Sequence, residues 1–81
     1  MNTERPWTIF GQVLKKLRIA RKLSQAKLGQ QCGLDQTYIS LMERGLRQPT
    51  LPVLYELCDA LGLTFNELIT ELECEWHRRN T

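Results

Sequence analysis

Segment 36–44 of this chain carries side chains suited to base recognition on one helical face. With a turn of about 100° per residue, five of them fall within about 140° of one another, namely Gln36, Thr37, Ser40, Leu41 and Arg44. Glutamine can pair with adenine through two hydrogen bonds, hydroxyls can bond base edges, and leucine can contact a thymine methyl group. Because the first residues of such a helix reach deepest into the major groove, Gln36 and Thr37 are the favoured base-reading residues.

Polar residues on either side of this face are suited to phosphate binding. Gln25 begins the preceding helix, where backbone N–H groups attract phosphate. Arg44, Arg47 and Gln48 would contact phosphates on the far side, and Tyr38 lies at the margin of the face. A polar surface helix without any partner would present some of the same groups. The distribution of charge and the arrangement of the helices must therefore decide between a base-reading helix and a plain surface helix.

The net charge of +2 conceals two halves of opposite sign. Residues 5–47 carry nine basic and two acidic side chains, which gives a net charge of +7. Residues 48–81 carry two basic and six acidic side chains, which gives −4, and Glu4 supplies the remaining −1. The asymmetry predicts that the basic half, with Lys15, Lys16, Arg18, Arg21 and Lys22 on the surface of its first helix, faces a polyanion.

Start and stop signals divide the chain into five helices without a strand. Ser24, Asp35, Thr50 and Thr64 are suitable N-caps, and glycines follow the second, third and fourth helices. The predicted helices span about 8–22, 24–32, 35–44, 50–61 and 64–77. The second and third, joined by a short turn at Gly33, form a candidate helix-turn-helix at about 24–45. The length of 81 residues predicts a single domain, 1–81, and the five predicted helices make that domain all-α.

The last helix carries a long apolar stripe that favours contact with a second copy of the chain. Leu68, Ile69, Leu72 and Trp76 are the predicted dimerisation residues, although the first two also suit the core of a monomer. Plain core followed by a frayed tail is the alternative. Trp7 could cover the end of the first helix or join the dimer contact.

No grouping of residues in the sequence predicts catalysis or metal binding. His77 is the only histidine, and Cys32, Cys58 and Cys74 have no paired spacing, so we expect neither an enzyme nor a metal site nor a cofactor. The charged start of the chain, containing Pro6, and the lack of a long apolar run predict no membrane segment and a cytoplasmic location. We also expect no small-molecule ligand.

Residues 23–68 resemble the Cro/C1-type (XRE-like) helix-turn-helix domain of bacterial and phage regulators. The resemblance lies in LSQ at the second helix, TYIS and ERG in the third, and ALGL before the last. The chain is also similar to the controller proteins of restriction–modification systems, which are all-helical homodimers. The resemblance implies an amide contact by Gln25. It implies base contacts by Gln36, Thr37 and Leu41, and backbone contacts by Tyr38, Ser40, Arg44, Arg47 and Gln48.

Three positions depart from the pattern of those families. Lys27 stands where many relatives carry a glutamate that completes a capping box, and controller proteins often have arginine at the position of Gln36. Gly29 replaces a common alanine, at a helix-propensity cost of about 0.5–1 kcal/mol. The departure at Gln36 means that an operator sequence cannot be transferred from those relatives.

The leading hypothesis is a homodimeric, sequence-specific transcription regulator that binds double-stranded DNA at a pseudo-palindromic operator. The first alternative is a protein-interaction module of the antitoxin type, for which DNA binding is secondary. The second alternative is a nucleic-acid-binding protein without sequence preference.

Overall fold

A computed structural model of the chain describes residues 5–80 and contains five α-helices and no strand in that range. The helices are α1 (Pro6–Ala20), α2 (Gln25–Cys32), α3 (Gln36–Glu43), α4 (Leu51–Leu61) and α5 (Phe65–Arg79). This arrangement confirms the all-α prediction. The two central helices have eight residues each, and helices this short need neighbours to be stable.

The helix ends follow from capping groups, and most of them were predicted. The Ser24 hydroxyl accepts a hydrogen bond from the Lys27 N–H at 3.0 Å, and an Asp35 carboxylate oxygen accepts one from the Thr37 N–H at 2.8 Å. Thr64 forms a reciprocal capping box with Glu67. These bonds satisfy N–H groups that have no partner within the first turn of a helix.

The predicted bounds of α1 and α5 were wrong by a few residues. Helix α1 begins at Pro6 rather than Thr8, because proline in the first turn loses no hydrogen bond and already has a helical φ. It ends at Ala20, and Lys22, with a φ of 57°, reverses the chain before α2. Helix α5 continues to Arg79, two residues beyond the prediction.

Helix α1 packs against α3 and α5, and α2 packs against α3 and α4. Ile39 and Met42, on the side of α3 away from the predicted base-reading face, are both fully buried. The remaining buried apolar residues are Ile9, Phe10, Val13, Leu14, Leu17, Leu28, Cys32, Leu57, Cys58, Leu61 and Leu68. The core therefore fixes α3 by one face and leaves the opposite face to solvent.

Two helical glycines allow close backbone approaches around α3. A Cβ at Gly11 of α1 would overlap the Met42 carbonyl oxygen at the end of α3. A Cβ at Gly29 would lie 2.6 Å from the Leu34 carbonyl oxygen in the turn before α3. The expectation that Gly29 merely weakens its helix was therefore incomplete, because this glycine also lets α2 approach the turn.

No helix in the described part of the chain is long and apolar enough to cross a membrane. Within residues 5–80 no group of three or more histidine, cysteine, aspartate or glutamate side chains could hold a metal ion. Cys32 and Cys58 are buried and Cys74 is exposed. Burial, together with the negative charge of Glu56, raises the pKa of Cys32 to about 11.

Candidate nucleic-acid interface

The turn between α2 and α3 determines how the third helix is presented. Gly33 follows α2 in the left-handed region, with a φ of 69°. The Leu34 N–H then donates to the Gly29 carbonyl oxygen at 2.8 Å, which closes the end of α2. Asp35 caps α3 immediately afterwards. The short connection brings the N-terminus of α3 directly after the end of α2, as the helix-turn-helix pattern predicts.

Helix α3 presents a polar face whose residues are those picked out by the helical spacing. Gln36, Thr37 and Arg44 are exposed, whereas Ser40 and Leu41 are half-buried. This face therefore offers amide, hydroxyl and guanidinium groups around one half-buried leucine, which are the groups that hydrogen-bond or contact base edges. The structure brings the five residues together, and their contacts with DNA remain a prediction.

Tyr38 connects this face to the loop that follows α3. Its hydroxyl donates to the Gln48 carbonyl oxygen at 3.4 Å, and the Arg47 Cζ lies 5.8 Å from the centre of its ring. At that distance the guanidinium and the ring attract each other. The exposed Arg44 donates from Nε to the Ser40 carbonyl oxygen at 3.4 Å. Tyr38 therefore holds the exposed guanidinium of Arg47 beside the end of α3.

Gln25 lies at the N-terminus of α2, as predicted, but part of its amide is engaged within the protein. Its Nε2 donates to Glu43 Oε1 at 3.0 Å. The same carboxylate lies at the end of α3, so this bond connects the predicted phosphate-binding residue to the predicted base-reading helix. The spacing of the two residues in the sequence gave no signal for this bond.

The prediction that Arg18 belongs to the basic surface was wrong. Arg18 is buried and pairs with Glu43, with Nε 2.6 Å from Oε2 and Nη2 3.0 Å from Oε1. The hydrogen bonds that Arg18 donates to the Glu43 carboxylate raise the pKa of Arg18. The guanidinium turns inward because α1 packs closely on α3, where Glu43 lies on the core-facing side.

Arg21 is also held by the protein, since its Nε donates to the Leu61 carbonyl oxygen at the end of α4. A cation there satisfies an end carbonyl and interacts favourably with the negative end of the helix. The exposed basic side chains on the first three helices and on the loop after α3 are Arg5, Lys15, Lys16, Arg21, Lys22, Lys27, Arg44 and Arg47. The basic surface remains extensive without Arg18.

A second surface lies between α1 and α5. A groove of about 440 Å³ is lined there by Pro6, Ile9, Ile69, Leu72 and Trp76, with Glu73 and His77 beside them. Trp76 is 38% exposed. Leu68 is only 2% exposed and belongs to the core. Its place among the predicted dimerisation residues is therefore corrected, because a side chain already covered by its own chain has no surface for a partner.

Trp7 does not line this groove. It lies with Phe10, Pro49 and Leu54 in an adjoining depression that shares Pro6 and Leu72 with the groove. The guanidinium of Arg5 lies 5.1 Å from the centre of its ring. Trp7 is the second residue of α1 and is half-buried there, and its contribution to a dimer contact stays a prediction.

Comparison with known proteins connects this arrangement to a family. A family model described as helix-turn-helix matches residues 14–68, which include all of α2, α3 and α4. The uncharacterized HTH-type transcriptional regulator y4dJ of Sinorhizobium fredii is 40% identical over 62 residues. That match covers 76% of this chain and 80% of the relative.

Restriction–modification controller proteins are similar over most of the chain. Control protein C.MunI of a Mycoplasma species is 42% identical over 67 residues, which cover 82% of this chain and 90% of the relative. The crystal structure of the controller protein C.AhdI from Aeromonas hydrophila superposes with a TM-score of 0.74 at 40% identity, over 76% of this chain and 94% of that protein. The chain therefore belongs to the helix-turn-helix family, in which it is similar to transcriptional regulators and to restriction–modification controller proteins.

Proposed function

We propose that this protein is a transcription regulator that binds double-stranded DNA in a sequence-specific manner, as a homodimer on a pseudo-palindromic operator. The observation that carries the proposal is the exposed polar face of α3, which begins with Gln36 and Thr37 and is held from behind by the buried Ile39 and Met42. A rigid helix that presents amide and hydroxyl groups along one face suits the major groove.

The distribution of charge supports the same orientation on DNA. Lys22 and Lys27 flank the start of α2, and Arg44 and Arg47 flank the end of α3, all of them exposed. Phosphate contacts by such residues position a protein on the duplex, while contacts with base edges provide sequence preference. In this proposal Gln25, Tyr38, Ser40, Arg44, Arg47 and Gln48 contact the backbone, and Gln36, Thr37 and Leu41 contact bases. DNA binding of this kind would take place in the cytoplasm.

The groove between α1 and α5 supports the proposed dimer. Ile69, Leu72 and Trp76 expose apolar surface there, and Trp76 lies near the C-terminal end of a 15-residue helix. A small domain gains stability by covering such surface. Two copies joined through α5 would present two α3 helices to half-sites about 34 Å apart, one turn of DNA.

Selection of binding sites from random duplex DNA tests the proposal directly. The purified full chain should enrich a two-fold symmetric consensus, and two chains should bind each duplex. The logarithm of the association constant should fall with the logarithm of salt concentration, with a slope of roughly −0.9 per phosphate neutralised. Equal affinity for scrambled duplexes would instead show a nucleic-acid-binding protein without sequence preference.

The same apolar groove favours one alternative, a protein-interaction module of the antitoxin type. In that case an unrelated protein would purify with the chain in equal amounts, and substitutions at Leu72 and Trp76 would release it. Enrichment of a symmetric duplex by the chain alone would contradict this alternative as the main function.

A further inference from the structure

The buried carboxylate of Glu43 joins the two helices that the proposed function brings to DNA. Its Oε1 accepts hydrogen bonds from Gln25 Nε2 and from Arg18 Nη2, each at 3.0 Å. Its Oε2 accepts a third from Arg18 Nε at 2.6 Å. One carboxylate at the end of α3 therefore anchors both the first residue of α2 and a guanidinium from α1.

The chemistry of these groups determines how the Gln25 amide is oriented. An ionised carboxylate only accepts hydrogen bonds, so the amide nitrogen of Gln25, and not its oxygen, faces Glu43. A primary amide has two N–H groups, and the bond to Glu43 uses one of them. The half-buried Gln25 therefore has a second N–H to donate to an acceptor outside the protein.

Arg18 contributes both a charge and a second attachment. Its Nη1 donates to the Leu23 carbonyl oxygen at 2.8 Å, immediately before the N-cap Ser24, so it also holds the backbone at which α2 begins. Its positive charge neutralises Glu43. Without it, the carboxylate would repel a phosphate that approached the N-terminus of α2.

We propose that Arg18 and Glu43 are positioning residues for DNA binding, which fix the Gln25 amide and the N-terminus of α2 relative to the base-reading helix α3. The inference rests on the proposed function. A side chain that is already ordered loses less conformational entropy when it binds. One ion pair fixes the position of α2 relative to α3. The phosphate contact of Gln25 and the base contacts of α3 are therefore made together.

Replacement of the pair by apolar residues separates positioning from folding. Loss of one partner leaves a buried charge, whereas the double substitution Arg18→Met/Glu43→Leu retains packing. We expect this variant to fold with a melting temperature near that of the wild type but to bind the selected duplex about tenfold more weakly, as for one lost hydrogen bond. The same substitutions at the partly exposed ion pair on α5, Arg78→Met/Glu75→Leu, are the control and should leave the affinity of the preformed dimer for the duplex unchanged.

A double-mutant cycle with Gln25 distinguishes positioning from a general structural effect. Gln25→Ala should weaken binding about tenfold in the wild-type background and little in the apolar background, because the amide is no longer held there. Arg18→Met/Glu43→Gln, which restores an oxygen acceptor for Gln25 but not the Arg18 bond to the Leu23 carbonyl, should recover only part of the affinity. If instead affinity follows melting temperature across the three double variants, the pair has only a structural role.

A measurement without DNA keeps this inference distinct from the proposed function. In NMR relaxation, the side-chain amide of Gln25 should be as rigid as the backbone in the wild type and mobile in Arg18→Met/Glu43→Leu. A mobile amide in the wild type overturns the positioning role. So does wild-type affinity of the apolar double variant for the selected duplex. If the Gln25 amide is rigid but the wild type prefers no duplex, the proposed function is overturned. Any role of the Arg18–Glu43 pair in DNA binding is then overturned with it.

Discussion

The carbonyl oxygen of Met42 lies so close to Gly11 that it would overlap the Cβ of any larger residue there. This approach seats the C-terminal end of α3 directly on α1. Since α3 is only eight residues long, its orientation depends on such contacts more than on its own hydrogen bonds. The small size of residue 11 is thus a condition for presenting the polar face.

Gly11→Ala should therefore lower the free energy of unfolding by about 1–3 kcal/mol, because the helices must separate to admit a methyl group. Urea denaturation followed by circular dichroism measures the change. Lys15→Ala, at an exposed position of the same helix, is the control and should change the free energy of unfolding by less than about 0.5 kcal/mol. Equal stability of Gly11→Ala and the wild type would show that α1 and α3 adjust without cost.

Gln36→Ala should reduce affinity for the selected duplex by about 1–3 kcal/mol and have little effect on random duplexes. The loss is selective because an amide that pairs with a base provides sequence preference, whereas phosphate contacts act on every duplex. Fluorescence anisotropy titrations at fixed salt provide the comparison. Asn66→Ala removes an exposed amide from α5 and should change neither value. Equal losses on both duplexes would remove Gln36 from the base-reading residues.

Trp76→Ala should weaken self-association at least tenfold without unfolding the monomer, because Trp76 is partly exposed and lies at the edge of the α1–α5 groove. Sedimentation equilibrium over a range of concentrations measures the dimer dissociation constant. Cys74→Ser, on the exposed side of the same helix, serves as the control. An unchanged dissociation constant would place the dimer contact elsewhere on the chain.

The C-terminal turns of α5 should respond to acid through Glu75. Hydrogen bonds from Arg78 and Arg79 lower the pKa of this carboxyl from 4.5 to about 2. Because the folded pKa is depressed, the stabilisation is present above the unfolded pKa and is lost as the pH falls from about 4.5 towards 2. Helicity at 222 nm should therefore be lower in Glu75→Gln than in the wild type at pH 7, and the two should converge near pH 2.

An exposed carboxylate on the same helix provides the comparison for this pH series. Glu71→Gln should follow the wild-type curve more closely than Glu75→Gln does. A constant difference between Glu75→Gln and the wild type from pH 7 to pH 2 would mean that the carboxylate does not stabilise this end of α5 by its charge.

The five helices and the polar face of α3 could be predicted, because both depend on residues close to one another in the sequence. Ser24 and Asp35 cap helices through bonds to residues two or three positions away, and the spacing of Ile39 and Met42 assigns the buried side of α3. The same helical spacing therefore placed Gln36 on the exposed side. Local periodicity was sufficient for this part of the site.

The burial of Arg18 and of part of the α5 stripe depends on tertiary packing, which the sequence did not reveal. Arg18 and Glu43 are 25 residues apart, and only the approach of α1 to α3 buries them together. A basic residue within a basic helix gave no indication that it would turn inward. Leu68 and Trp76 lie on one stripe of α5, yet the other helices cover the first and leave the second exposed. Helical spacing identifies a stripe but not how far its neighbours extend along it.

In the proposed role, the separation of exposed and buried residues within α3 bears on how readily this protein could acquire a new recognition sequence. Gln36 and Thr37 are exposed, while Ile39 and Met42, from the same two turns, fill the core. Substitutions at such exposed positions usually change stability by less than about 0.5 kcal/mol. The fold therefore tolerates exchange of these two side chains, and descendants of this chain could diverge in specificity while inheriting one unaltered scaffold.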